Sequence, residues 1–320
     1  MRIKKIIAVC MAAGICMSMA LLAGCSNFAA SNNDSQVVDI NPLGEAAAKD
    51  SEEVSLYFGY QDTGMLIGET REIEIPVNEK REEAILKELI KGPSVTSSEF
   101  TPLINPETQV VNVSDTGDFL FVTLSREFLM PVDNTGSTGE SETEVNPLAV
   151  YSIVNTLVEQ GQFSRIQILV DTDGTGNGQR VSLSQVGLEG EGTLEPLGRN
   201  GEIILTPQNT MEQMLSLMEK KDFQGLYNFI AYSDSYQITK PELDEFVTSC
   251  INSNVALKEY QIIDSNVTAS AQNVVIMVDY TYDKGDETTE KTNIPVKMVR
   301  ENDVWKMTNS TFEKMFSIGQ

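Results

Sequence analysis

Apolar and polar residues alternate through Val54-Ser55-Leu56-Tyr57-Phe58, the two-residue period of a strand with one face buried. Asp62-Thr63-Gly64 then predicts a turn, and Met65–Ile75 a second strand. From Glu79 to Lys91 the period lengthens to that of a helix: Ile85 stacks with Leu89 and Leu86 with Ile90, and Gly92-Pro93 stops it. Strands are predicted again at Thr108–Val113 and Phe119–Leu124, around an Asp115-Thr116-Gly117-Asp118 turn. Asn146-Pro147 offers an N-cap and a first-turn proline for a helix that Gly161 closes, with Val150, Val154, Leu157 and Val158 on its inner face. Arg165–Val170 returns as a strand. The order ββαββαβ predicts helices packed on a mainly antiparallel sheet.

The pattern then breaks. Glu189–Gly201 contains four glycines and a proline, which predicts a joining segment rather than an element. Helical patterning resumes at Thr210-Met211-Glu212-Gln213, which fits a capping box, and Met214, Leu217 and Met218 follow on one face. Phe223, Leu226, Tyr227 and Ile230 predict a second helix, and Thr239-Lys240-Pro241-Glu242 starts a third that carries Leu243, Phe246, Val247 and Cys250. Four strands follow, at Leu257–Ile263, Asn273–Tyr282, Thr288–Val299 and Val304–Thr308, with hairpin turns at Asp283-Lys284-Gly285-Asp286 and Glu301-Asn302-Asp303. The expected fold class is α+β in two domains, residues 54–188 and 206–320, with residues 189–205 as linker.

The N-terminus has a different character. Arg2-Ile3-Lys4-Lys5 is basic, and Ile6–Ala23 is apolar apart from Gly14 and Ser18. At 18 residues that stretch is long enough for a membrane-spanning helix as well as for a signal peptide. Leu22-Ala23-Gly24-Cys25 resembles the lipobox of bacterial lipoprotein signal peptides. The resemblance implies that Cys25 receives diacylglycerol, that residues 1–24 are removed, and that the protein is held by lipid on the extracytoplasmic face of the cell membrane. Several acyl chains on one cysteine give stable anchoring where a single chain does not. Residues 25–53, rich in Ser, Asn, Ala and Asp, are expected to be a flexible tether with a reach of about 30 Å.

Charge narrows the partners. Net charge is −24, and becomes −27 once the three cations of the leader, Arg2, Lys4 and Lys5, are gone. So acidic a chain repels phosphate backbones and anionic headgroups, which argues against nucleic acid and leaves the lipid as the membrane contact. The chain has no histidine. Serine–histidine, cysteine–histidine and histidine–metal chemistry are thereby excluded, while carboxylate or lysine mechanisms survive. Cys10 and Cys16 leave with the leader, so lipidation of Cys25 makes Cys250 a lone thiol. Its neighbours Phe246, Val247 and Ile251 suit a buried structural cysteine.

The segments Leu56-Tyr57-Phe58, Glu69-Thr70-Arg71-Glu72-Ile73, Ala84 to Pro93 (AILKELIKGP) and Ile153-Val154-Asn155-Thr156-Leu157 resemble, in order, the GerM-type domain of spore germination and sporulation. The resemblance covers about two-fifths of the chain. It implies a non-enzymatic envelope module that acts in assembly, with another envelope protein or a further copy of itself as partner and no cofactor. Two segments depart from the pattern, the acidic Pro131–Val145 loop and Asp171–Gly178. In the second half, helices followed by a long antiparallel meander ending in Asp303-Val304-Trp305-Lys306-Met307 resemble the nuclear-transport-factor-like cone.

Two places invite chemistry. Asp171, Asp173 and Asn177 alternate as in a calcium loop, but Ser182 stands where a bidentate glutamate belongs and Gly174 precedes the expected glycine position. A turn rich in Asp and Gly is the preferred reading, with no metal. A cone can leave a pocket, around which Tyr227, Tyr232, Tyr236 and Asp279 are candidates. The preferred reading there is that Asp279 faces solvent and the tyrosines cover the sheet. The leading functional expectation is a non-catalytic assembly lipoprotein. A solute-binding lipoprotein using the C-terminal pocket is the alternative, followed by a two-carboxylate enzyme acting on wall polymer.

Overall fold

The computed structural model describes residues 50–94, 99–132, 147–234, 237–264 and 272–319, all within one compact unit of residues 47–320. Cys25 and everything expected of residues 1–49, most of the acidic 131–145 loop, and Tyr236 lie outside the described residues. Among the described residues, no helix is long and apolar enough to cross a membrane.

Strand β1 (Asp50–Tyr60) pairs antiparallel with β2 (Leu66–Ile75), in register from Asp50↔Ile75 to Gly59↔Leu66. The last four residues of the expected tether, Asp50–Glu53, are therefore strand. They pair with Ile75–Glu72, and Arg81 clamps Glu52 with a 2.7 Å bond from Nε. On its other edge β1 meets a two-residue strand, β3 (Phe100–Thr101), at Gly59 and Tyr60. Helix α1 (Arg81–Ile90) buries Ala84, Ile85, Leu86, Leu89 and Ile90, the face expected from its period.

A second sheet has the order β4-β5-β6, comprising Val110–Thr116, Phe119–Ser125 and Arg165–Asp171. Its β5–β6 pair is parallel. Parallel neighbours need a long crossover, supplied here by α2 (Leu148–Glu159), which packs on both β1 and β6. Helix α2 is buried on nearly every side, polar residues included. Three of these complete other backbones: Ser152 Oγ donates to Tyr57 O (2.6 Å), Thr156 Oγ1 accepts from Tyr57 N (3.0 Å), and Asn155 exchanges two bonds with the Asn200 backbone. The outer edge of β1 is thus closed by helix side chains at Tyr57 and by β3 at Gly59.

The joining segment is laid onto this first half. Leu197 bridges to Ile166, Leu194 N donates to Val181 O, and Ile204 bridges to Leu66, with Leu194, Ile204 and Leu205 buried. The apolar residues between its glycines are what hold it there.

In the second half, α3 (Pro207–Lys220) starts one turn before the expected capping box. Thr206 is the cap, its Oγ1 accepting from Asn209 N at 3.1 Å, and Pro207 presets the first helical φ. Thr210 lies inside the helix, fully buried, bonded back to Thr206 O. Met211, Met214 and Met218 point into the core. Short α4 (Phe223–Tyr227) and α5 (Leu243–Asn252) follow, separated by a hairpin of two-residue strands, β7 (Ser233–Asp234) and β8 (Gln237–Ile238).

The remaining strands, β9 (Val255–Asp264), β10 (Asn273–Lys284), β11 (Glu287–Glu301) and β12 (Val304–Lys306), form an antiparallel meander. Along β10, Val274, Ile276, Val278, Tyr280 and Tyr282 are buried and the residues between them are not. A last helix, α6 (Asn309–Phe316), has no counterpart in the sequence expectation. Thr308 caps it, and Phe312 and Phe316 join an aromatic chain running from Phe246 to Tyr280 and Tyr282. The architecture is α+β throughout.

Candidate functional site

Two charged clusters stand out from the core. The first is a clasp on β2. Arg71 Nε and Nη2 both donate to Glu69 Oε1, at 2.9 and 2.5 Å. Its other contacts reach the end of α1: Nη2 to Gly92 O (2.9 Å) and Nη1 to Glu88 O (3.2 Å). Glu69 is buried, and its second oxygen accepts from Ser94 N at 2.9 Å. A cation at the C-terminal carbonyls of a helix is favourable, and the planar guanidinium can meet carboxylate and carbonyls together. The clasp ties the strand, the helix end and the Gly92–Ser94 turn into one piece.

The second cluster joins the halves. Tyr60, fully buried at the end of β1, donates its hydroxyl to Asn228 O (3.0 Å), and its ring lies 5.5 Å from that of Phe229. Beside it Lys306 of β12, 3% exposed, donates to Glu99 Oε1 at 2.6 Å. Glu301 Oε2 accepts from Tyr232 N (2.7 Å), and the Lys240 ammonium sits 3.9 Å over the Tyr227 ring. Burial pushes the Tyr60 hydroxyl far above its ordinary value, helped by the negative charges of Glu99 and Glu301. Burial also pulls Lys240 down to about 8, with the neighbouring Lys306 charge adding to it and Glu99 and Glu301 opposing. The backbone contributes as well: Leu66 N donates to Ile203 O (2.7 Å) and Leu205 N to Leu66 O (2.8 Å). This arrangement locks the two halves together.

The family model described as "Germane: Sporulation and spore germination" matches residues 55–173. Residues 55–173 form a GerM-type domain. Its match supports a role connected with sporulation or spore germination, and the Arg71 clasp lies inside it. No curated protein matches the chain. Among solved structures, the tandem GerMN domains of the sporulation protein GerM from Bacillus subtilis share 18% identity over 50% of each chain, with a TM-score of 0.33. The chain thus spans half the length of that protein. A Clostridium perfringens protein assigned as a lipoprotein shares 22% identity over 47% of this chain and 88% of its own, with a TM-score of 0.28. The first GerMN domain of the Bacillus subtilis protein shares 16% over 41% and 94%, with a TM-score of 0.25.

At the end of the GerM-type domain, the Asp171–Gly178 segment is a hydrogen-bonded turn. Asp171 Oδ1 and Oδ2 accept from Thr175 N (3.1 Å) and Gly176 N (2.8 Å), and Asp173 Oδ1 accepts from Thr175 Oγ1 (2.7 Å). Those oxygens serve the turn's own backbone and side chains, and Thr175 holds the Asp173 carboxyl below its usual range. Beyond the domain, the described residues among those proposed around a pocket make separate contacts. Tyr227 donates to Pro241 O (2.7 Å), Tyr232 is 55% exposed, and Asp279 accepts from Asn293 N (2.6 Å) at an irregularity of β10–β11. Cys250 is buried, and burial pushes its thiol up to about 12.

A cavity of about 200 Å³ does lie in the second half, between α5 and α6, lined by Phe246, Cys250, Phe312 and Glu313 among others. None of Tyr227, Tyr232 or Asp279 borders it. The Lys306–Glu99 pair escaped the sequence reading. Its one signal was a lysine two residues after Val304, on the inward side of a short strand.

Proposed function

We propose that this protein is a lipid-anchored, extracytoplasmic assembly module of the cell envelope, acting without turnover in sporulation or spore germination. The match of residues 55–173 to the Germane family carries the reading. The lipobox-like Leu22–Cys25 supports the anchor and the location. The absence of histidine from the whole chain supports a non-catalytic role. The partner is an envelope protein or a second copy of the chain, docking on the GerM-type domain.

Two experiments test this. Cys25→Ser should abolish fatty-acid labelling and block maturation; an unlabelled wild type that retains Met1 would make the leader a transmembrane anchor instead. Photo-crosslinkers at the exposed Val77 and Phe119 of the first half should trap a protein in the native host, while those at the exposed Ile251 and Ile263 should not. Crosslinks from the second pair alone, or wall-polymer degradation by purified protein, would sink the proposal.

A further inference from the structure

A cleft of about 520 Å³ opens where the first half, the joining segment and the second half meet. Its volume lies within the range of ligand pockets, and junctions between folded parts are where such pockets concentrate. Met65 comes from the turn before β2, Glu202 from the joining segment, Glu212 and Gln213 from α3, and Tyr260 from β9. The rim is preorganised. Asn209 Nδ2 donates to Gly201 O, Glu202 O and Ile204 O, at 2.9, 3.2 and 2.7 Å, and so fixes the joining segment against α3.

The lining has a definite chemistry. Glu202 and Glu212 are exposed, and their carboxylates make no hydrogen bond or ion pair among the described residues, so the fold does not use them. No lysine or arginine lines the cleft. Asn209 also lines the cleft, with its amide nitrogen spent on three carbonyls. Met65 and Tyr260 are half-buried and supply apolar surface. Burial raises the Tyr260 phenol, and the charges of Glu219 and Glu212 raise it further, as expected in a negative field. Unpaired carboxylates and half-buried apolar surface in one cleft suit a ligand with a cationic head and a hydrocarbon stem. A bare divalent ion would need six or more converging oxygens, and no such cluster occurs among the described residues.

We propose that this cleft is a binding site for a primary alkylammonium group, its ammonium held between Glu202 and Glu212 and its methylene stem lying on Tyr260 and Met65. An aromatic face adds cation–π attraction to the carboxylate contacts. Both a free diamine and the lysine side chain of a protein carry this chemistry.

Calorimetry on the full mature protein tests it, with cadaverine and the blocked peptide acetyl-Gly-Lys-Gly-amide as probes, in about 0.15 M salt to screen diffuse attraction. Pentane-1,5-diol serves as the uncharged control. At least one amine should bind and the diol should not. Cadaverine alone would assign a free amine, and the peptide a protein lysine. E202Q/E212Q should weaken binding by at least about tenfold, a loss of about 1.4 kcal/mol, and Y260A should weaken it as well. E189Q/E191Q, which removes two exposed carboxylates of the joining segment outside the cleft, should change nothing. Failure of both amines to bind, equal binding of the diol, or an equal loss in E189Q/E191Q would overturn the site.

Discussion

Lys306 donates to Glu99 at 2.6 Å across 207 positions of sequence, and this pair crosses from the last strand of the second half to the first half. Lys306 is almost fully buried while Glu99 keeps about a fifth of its side chain in solvent. Removing one partner strands the other charge, which costs roughly 3–5 kcal/mol for a fully buried pair. Lys306→Met should therefore destabilise by about 2–4 kcal/mol, somewhat below that range because Glu99 can be solvated. The double variant Lys306→Met/Glu99→Gln should recover part of the loss. Urea titration of wild type, Lys306→Met, Glu99→Gln and the double variant measures the coupling, and additive losses would show that the pair does not act as a unit.

Arg71 makes a separate prediction within the GerM-type domain. Lysine cannot supply the fork that reaches Glu69, Glu88 O and Gly92 O together. Arg71→Ala should cost about 3 kcal/mol by leaving buried Glu69 without its cation, and Arg71→Lys should fall between it and wild type. The urea midpoint should move with little change in slope.

The edge of β1 can be probed at Thr156. Thr156→Val keeps the volume but removes the acceptor of Tyr57 N–H, a buried donor. A loss of about 1–3 kcal/mol is expected. Faster hydrogen exchange at the Tyr57 amide would locate the effect, and unchanged protection would contradict it.

Lys240 makes stability depend on pH. Its folded value of about 8 lies below the ordinary 10.5, so from about pH 8 to 10.5 the unfolded chain binds more protons than the folded one. The Lys240 contribution is unfavourable below pH 8 and is relieved as pH rises through that window. Cys250, pushed up to about 12, and the raised Tyr60 and Tyr280 act in the opposite sense once their unfolded forms begin to ionise. Subtracting the Lys240→Met curve isolates the lysine: wild type should gain on the variant between pH 8 and 10. Parallel melting-temperature profiles would refute the assignment, which involves Lys306, Glu99, Glu301 and the Tyr227 ring around the amine.

What the sequence determined by itself was local. The inward face of α1 and the alternation along β10 follow from periods of 3.6 and 2, and each period is set by neighbouring residues. The Germane-like order of residues 55–173 was likewise legible, because it is a succession of such segments. Tertiary structure decided the rest. Thr210 and Thr206 look alike as caps, and only the extended backbone of Thr206, followed by Pro207, selects it. Ser152 and Thr156 read as ordinary polar interruptions of an apolar helix until β1 presents Tyr57 N and O to them. Lys306 looks solvated until folding brings Glu99 beside it. The cleft of Met65, Glu202, Glu212 and Tyr260 draws on three parts of the chain that no local period connects. Such pairings depend on closing long loops, whose outcome is settled by the packing of the whole core rather than by residues adjacent in sequence.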